Sequence, residues 1–135
     1  MKRMQRKDNE PPFVTAKLGW RFHHLGIPTK TPHAGEKHLP HLKMRVAGFA
    51  ASPFGIEWMR FDDDCPIAEV IRTVPHVAFA VDDLEQALRE CGAEVLTPAN
   101  SPSAGVRVAM VLHDGAPIEL IELKDRGSPG DGPKK

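Results

Sequence analysis

The apolar positions change period several times along this chain, and each change marks an element. Residues 75–81, Pro-His-Val-Ala-Phe-Ala-Val, are apolar and partly β-branched with His76 as the only ionisable side chain, which predicts a short buried strand. From Leu84 the period becomes helical, with Leu84, Ala87, Leu88 and Cys91 on one face. Asp82 stands at the predicted N-cap, with Glu85 three positions later in a capping-box pattern, and Gly92 falls where a C-terminal cap belongs. Earlier, residues 20–27 predict a first strand that Pro28 ends. Residues 41–49 alternate, with Leu42, Met44 and Val46 on one face and Lys43 and Arg45 on the other. Ser52-Pro53 marks a turn before a strand over 54–61. Asp64 as cap, Pro66 near the first turn and the apolar set Ile67, Val70, Ile71 and Val74 predict a linking helix over 64–74. Residues 94–98 predict a short strand and 100–105 a turn-rich stretch. Two strands follow, 106–112 and 116–123, joined by the tight-turn pair Asp114-Gly115.

The pattern is duplicated. His24-Leu25-Gly26-Ile27 aligns with His76-Val77-Ala78-Phe79, and Gly55-Ile56-Glu57-Trp58-Met59 aligns with the stretch from Ala116 to Ile121 that carries Glu119. Each half supplies one His early and one Glu late, and two copies predict a pseudo-symmetric domain with a site between them. Alternate side chains of a strand share a face. His76 therefore lies with Ala78 and Ala80, His24 with Gly26, Glu57 with Met59, and Glu119 with Ile121. The bulkier Val77, Phe79, Leu25, Ile27, Ile56, Trp58, Ile118 and Leu120 take the opposite face. A carboxylate in so apolar a strand is costly to bury without a cation or hydrogen bonds. Two imidazoles and two carboxylates converging form a candidate site for a divalent transition metal with positions left for water or substrate.

Competing residues have plainer readings. His23 rivals His24, but alternation puts it with Leu25 and Ile27, the core face. Glu122 rivals Glu119, but it shares a face with Ile118 and Leu120 and is expected to reach solvent at the strand end. Asp62-Asp63-Asp64 lacks the alternating ligands and glycine of a calcium loop. Lys43, Arg45 and Arg107, with Arg60, are candidates for holding a substrate carboxylate or phosphate, against the reading that they are solvated strand faces. His33, His38 and His41 lie in or next to a Pro-rich stretch, residues 28–40, that shows no helical period where the second half has its helix, and they read as ordinary loop residues.

Composition narrows the class. The 135 residues carry 18 basic and 18 acidic side chains and a formal net charge of zero, a balance that favours neither nucleic acid nor an anionic membrane. The length suits one domain. Residues 1–19 are expected to be a flexible tail, 20–124 the domain (first module about 20–62, linking helix 64–74, second module 75–124), and 125–135 a disordered tail rich in Gly and Pro. No apolar run is long enough to span a membrane, and no signal segment opens the chain. Cys65 and Cys91 lack metal spacing, and Cys91 falls on the apolar helix face. A reducing cytoplasm is the expected compartment.

In the motifs at His24-Leu25-Gly26-Ile27, residues 75–84 and Ile118-Glu119-Leu120-Ile121-Glu122, the chain resembles the vicinal oxygen chelate superfamily, over roughly residues 20–123. That group includes glyoxalase I, methylmalonyl-CoA epimerase, extradiol dioxygenases and the fosfomycin and bleomycin resistance proteins. The resemblance implies an α+β fold of two βαβββ modules forming a curled mixed sheet around a cleft, here with the first helix degenerate or replaced by a loop. It places the metal ligands at His24, Glu57, His76 and Glu119, with Glu57 or Glu119 also the proton-moving base. The cofactor expected is a divalent ion, zinc, nickel, manganese or iron. The activity expected is that of a lyase or isomerase/epimerase on a small oxygenated metabolite. The alternatives are an iron dioxygenase using His24, His76 and Glu119, and a metal-free protein that sequesters a drug or metabolite. A homodimer is expected.

Overall fold

The computed structural model describes residues 5–124, and their backbone is dominated by strands that pair across the chain's two halves. The first half holds α1 (Phe13–Ala16), β1 (Arg21–Pro28), β2 (Lys37–Leu39), β3 (Met44–Ala47) and β4 (Ile56–Phe61). After α2 (Glu69–Thr73), the second holds β5 (His76–Ala80), α3 (Leu84–Cys91), β6 (Glu94–Ser103), β7 (Val106–His113) and β8 (Ala116–Leu123). The eight strands form a curled sheet in the order β2-β3-β4-β1-β5-β8-β7-β6. Read outward from the centre, each half runs through its first, fourth, third and second strand. β1 lies parallel to β4, β5 lies parallel to β8, and the halves join where β1 and β5 pair antiparallel. The duplication read from the sequence is thus a rotational repeat about the β1–β5 seam.

One face of the second half carries the main core. Leu84, Ala87 and Cys91 of α3 meet Ala109, Val111 and Leu120 of the sheet, with Val81 and Trp20 closing the edge. Leu84, Leu120 and Ala109 have no exposed surface. Burying a side chain of leucine size stabilises by roughly 1.5–3 kcal/mol, so this helix–sheet contact anchors the half. The α3 cap differs by one residue from expectation: Asp83, not Asp82, accepts a hydrogen bond from Gln86 N at 3.1 Å. Asp82 instead pairs with Arg21. Gly92 ends the helix with φ of 63°, a conformation that costs glycine nothing.

Glu122 does not reach solvent. It is 4% exposed and accepts a hydrogen bond from Leu84 N at 2.8 Å, so it holds the first turn of α3, where backbone N–H groups lack partners. The linking helix is also shorter than the sequence predicts. It starts at Glu69 with no side-chain cap, and Asp64 pairs with Lys43 at 2.6 Å. β6 runs on to Ser103, into the stretch read as a turn, with three breaks in its register against β7, and the turn itself is confined to Ala104-Gly105. Residues 41–49 yield only the four-residue β3, because Lys43 turns left-handed at φ 56° and Gly48 at φ 95°.

The segment before β1 is not simply a loose tail. Val14 and Leu18 pack on the core, Trp20 N donates to Val14 O, and Trp20 is buried against Phe79. The tail expected over 125–135 lies outside the described residues. No helix among the described residues is long and apolar enough to cross a membrane.

The first half has no helix between β1 and β3. The loop before β2 lies over the same face that α3 covers in the second half, through His33 and Glu36. His33 stacks on Trp58 with ring centroids 4.9 Å apart, and Glu36 takes both a 2.8 Å and a 2.7 Å hydrogen bond from Arg60. A loop anchored by a stack and a bidentate ion pair has replaced the helix.

Candidate functional site

On the other face of the sheet, the cross-strand register draws four side chains together. Gly26 is opposite both His76 and Glu57, and Ala78 is opposite both His24 and Glu119. The two small residues sit at the centre of the cluster, and their size is what lets it form. A Cβ built on Gly26 would lie 2.2 Å from His76 Cε1, so any side chain there would displace the imidazole. Ala78 is fully buried.

His24 Nε2 lies 3.4 Å from His76 Nε2, 3.3 Å from Glu119 Oε1 and 3.5 Å from Glu57 Oε1, and His76 Nε2 lies 3.0 Å from Glu119 Oε1. Around an ion with bonds of about 2.1 Å, neighbouring ligand atoms stand about 3.0 Å apart in octahedral and about 3.4 Å apart in tetrahedral geometry. The observed separations span that interval, so the donor set fits a divalent transition metal. His24, His76 and Glu119 form the tightest group. All four residues come from one chain.

The two carboxylates are held differently. Burial works to raise the pKa of Glu119, but hydrogen bonds from His24 and His76 outweigh it and hold the carboxyl down at about 2. Glu57 Oε1 lies 3.5 Å from His24 Nε2, and burial, which outweighs the pull of the nearby imidazoles, raises its pKa from the ordinary carboxylate value. One acid is therefore locked as an anion and the other is disposed to take up a proton.

The sequence reading missed His23. Regular alternation would send it to the core face, but the β1–β5 register slips between Phe22 and His24. The extra residue in β1 turns His23 toward the site, and its Nδ1 lies 2.8 Å from Nδ1 of His24. Phe49 stacks on His23 and meets His24 edge-on, with ring centroids 5.1 Å and 5.7 Å away. Tandem histidines were visible in the sequence, but nothing local announced the bulge.

The three cations read as substrate-binding candidates are not at this cluster. Lys43 pairs with Asp64 and Arg45 with Asp62. Arg107 makes a bidentate pair with Glu85 of α3, on the face away from the site. Each is engaged by a carboxylate of the fold, as is Arg60.

No model of a known protein family matches the chain, and no curated protein matches it in sequence. Solved structures do match. A hypothetical protein from Bacillus halodurans C-125 is 21% identical over 87% of this chain and 86% of its own, with a TM-score of 0.51. Methylmalonyl-CoA epimerase from Mycobacterium tuberculosis is 23% identical over 82% and 76%, with a TM-score of 0.45. A glyoxalase/bleomycin resistance protein/dioxygenase superfamily member from Vibrio splendidus 12B01 is 14% identical over 82% and 84%, with a TM-score of 0.41. Identities in this range speak to architecture. The paired modules, the parallel first and fourth strands of each and the central β1–β5 seam are the curled α+β architecture that the sequence resemblance implied.

Proposed function

We propose that the chain is a divalent-metal-dependent enzyme, a lyase or an isomerase/epimerase, that moves a proton on a small oxygenated metabolite. The observation that carries this reading is the convergence of two imidazole nitrogens and two carboxylates at ligand-to-ligand spacing. A bound divalent ion supplies Lewis acidity toward substrate oxygens and stabilises negative charge that develops on them. His24, His76 and Glu119 would hold the ion; without it, hydrogen bonds from the two imidazoles keep Glu119 anionic and ready to ligate. Glu57 is the base. Its raised pKa brings it nearer the working range for proton transfer, and its looser attachment leaves it free to take a substrate proton. Metal analysis of protein purified without chelators tests the proposal. We expect one equivalent of metal per chain, lost in His76→Ala; metal-free wild type after growth with zinc, nickel, manganese and iron would overturn it.

A second reading has its own support. The tight triad of two His and one carboxylate, with Glu57 set back, is the ligand set of non-haem iron(II) oxygenases. The metal bound decides between the two: retention of iron, with oxygen uptake in the presence of substrate and no loss in Glu57→Gln, would favour the dioxygenase.

A further inference from the structure

We infer that His23 is a positioning residue that fixes the tautomer and orientation of His24 for metal ligation, an inference that rests on the metal-site reading above. A neutral imidazole carries one proton, so it offers a lone pair at one nitrogen only if the other is protonated. For His24 to present its Nε2 lone pair to an ion, its proton must sit on Nδ1. The group that receives it is His23 Nδ1, 2.8 Å away. His23 must then accept at Nδ1 and carry its own proton at Nε2.

The bulge between Phe22 and His24 is what places this acceptor. Phe49 supports it from one side, stacked on His23 and edge-on to His24. Such partners orient metal-bound histidines and raise their basicity, and losing one weakens metal affinity.

The second half gives the contrast. His76 has the same place in its module, yet its Nδ1 is buried with no hydrogen-bond partner among the described residues. Its ring is fixed by close packing over Gly26 instead. The two histidines therefore have different supports, a hydrogen bond for His24 and steric confinement for His76.

Zinc titration of chelator-stripped wild type, His23→Phe, His23→Asn and His24→Ala tests this. Phe keeps the stack on Phe49 but cannot accept a hydrogen bond, whereas the Asn side-chain oxygen falls near the position of Nδ1. We expect His23→Phe to lose about tenfold to a hundredfold in zinc affinity, His23→Asn to recover most of it, and His24→Ala to bind weakest. Nitrogen-15 spectra of the wild-type histidine rings give an independent readout, with His23 protonated at Nε2 and not at Nδ1 in the zinc form. A folded His23→Phe that binds zinc as tightly as wild type, or a His23 protonated at Nδ1 in the zinc form, overturns the inference while leaving the metal site intact. A wild type that takes up no zinc or other divalent ion overturns both.

Discussion

The two halves of the molecule reach the same site from different supports. In the second, the back of the sheet is a dry layer in which Leu84, Ala87 and Cys91 of α3 cover Leu120, Ala109 and Val111. In the first, the equivalent face is closed by a loop through the His33–Trp58 stack and the Glu36–Arg60 pair. Yet His24 stands as close to the cluster as His76 and Glu119 do, and Glu57 follows at 3.5 Å from His24. The register that sets them comes from strand pairing, β1 with β4 and β5 with β8, and not from the layer behind. Within this fold, a helix is one way to keep water off the back of a module, and the site does not depend on it.

Removing a ligand from either half tests that equivalence most strongly. His24→Ala and His76→Ala should each abolish stoichiometric metal uptake, measured by metal analysis after dialysis. Retention in only one of them would mean that the halves do not share a site. Gly26→Ala should come close to the same loss, because its methyl group would occupy the space of the His76 ring; unchanged metal content in a folded Gly26→Ala would show that the imidazole has another place to go.

The backing layers should separate in stability. Leu120→Ala removes a fully buried side chain from the core of the second half and should cost about 2–5 kcal/mol in denaturant unfolding. Glu36→Gln breaks the clasp of the first half at an ion pair near the surface, where such pairs contribute little. Its thermal midpoint should fall much less than that of Leu120→Ala, and a loss of equal size would mean that the loop is as integral as the helix.

The smallest effects should distinguish the two acids in chelator-treated protein. Glu119 has a folded-state pKa of about 2, below its ordinary 4.5, so its ionised form stabilises the fold above pH 4.5 and that contribution is lost as pH falls toward 2. Glu119→Gln should therefore lower the melting temperature at pH 7, with the gap to wild type closing under acid. Glu57 is shifted upward by burial, so its contribution is present below pH 4.5 and is lost as pH rises through the raised value. Glu57→Gln should raise the melting temperature at pH 7 and make little difference at pH 4. Shifts of the same sign at both positions would show that the two acids are not held differently.

Strand alternation, with the small residues beside each His, assigned His24, Glu57, His76 and Glu119 to the open face of their own strands, because a period of two needs no knowledge of neighbours; the register between strands is what makes those faces one. The positions of Gly26 and Ala78 were equally legible, since a small residue beside each His is a local fact. His23 was not legible. A bulge belongs to a pair of strands, and β1 carries no mark of where its partner slips. Glu122 was misread for a related reason: its partner, the N-terminus of α3, begins 38 residues earlier, a meeting that only the folded chain makes. The cations Lys43, Arg45 and Arg107 looked available because their carboxylates lie 17 to 22 residues away.

The sequence by itself determined which residues face which way, where the chain repeats and which side chains have metal-binding chemistry, because periodicity, composition and turn residues act over a few neighbours. The loop in place of a first-half helix was also legible, from the missing helical period, whereas tertiary structure alone decided that β1 and β5 form the seam, that His23 swings in beside His24, and that one acid is locked as an anion while the other is not. Each of those outcomes depends on a partner distant along the chain, and burial and pairing with such partners exist only once the chain has closed on itself.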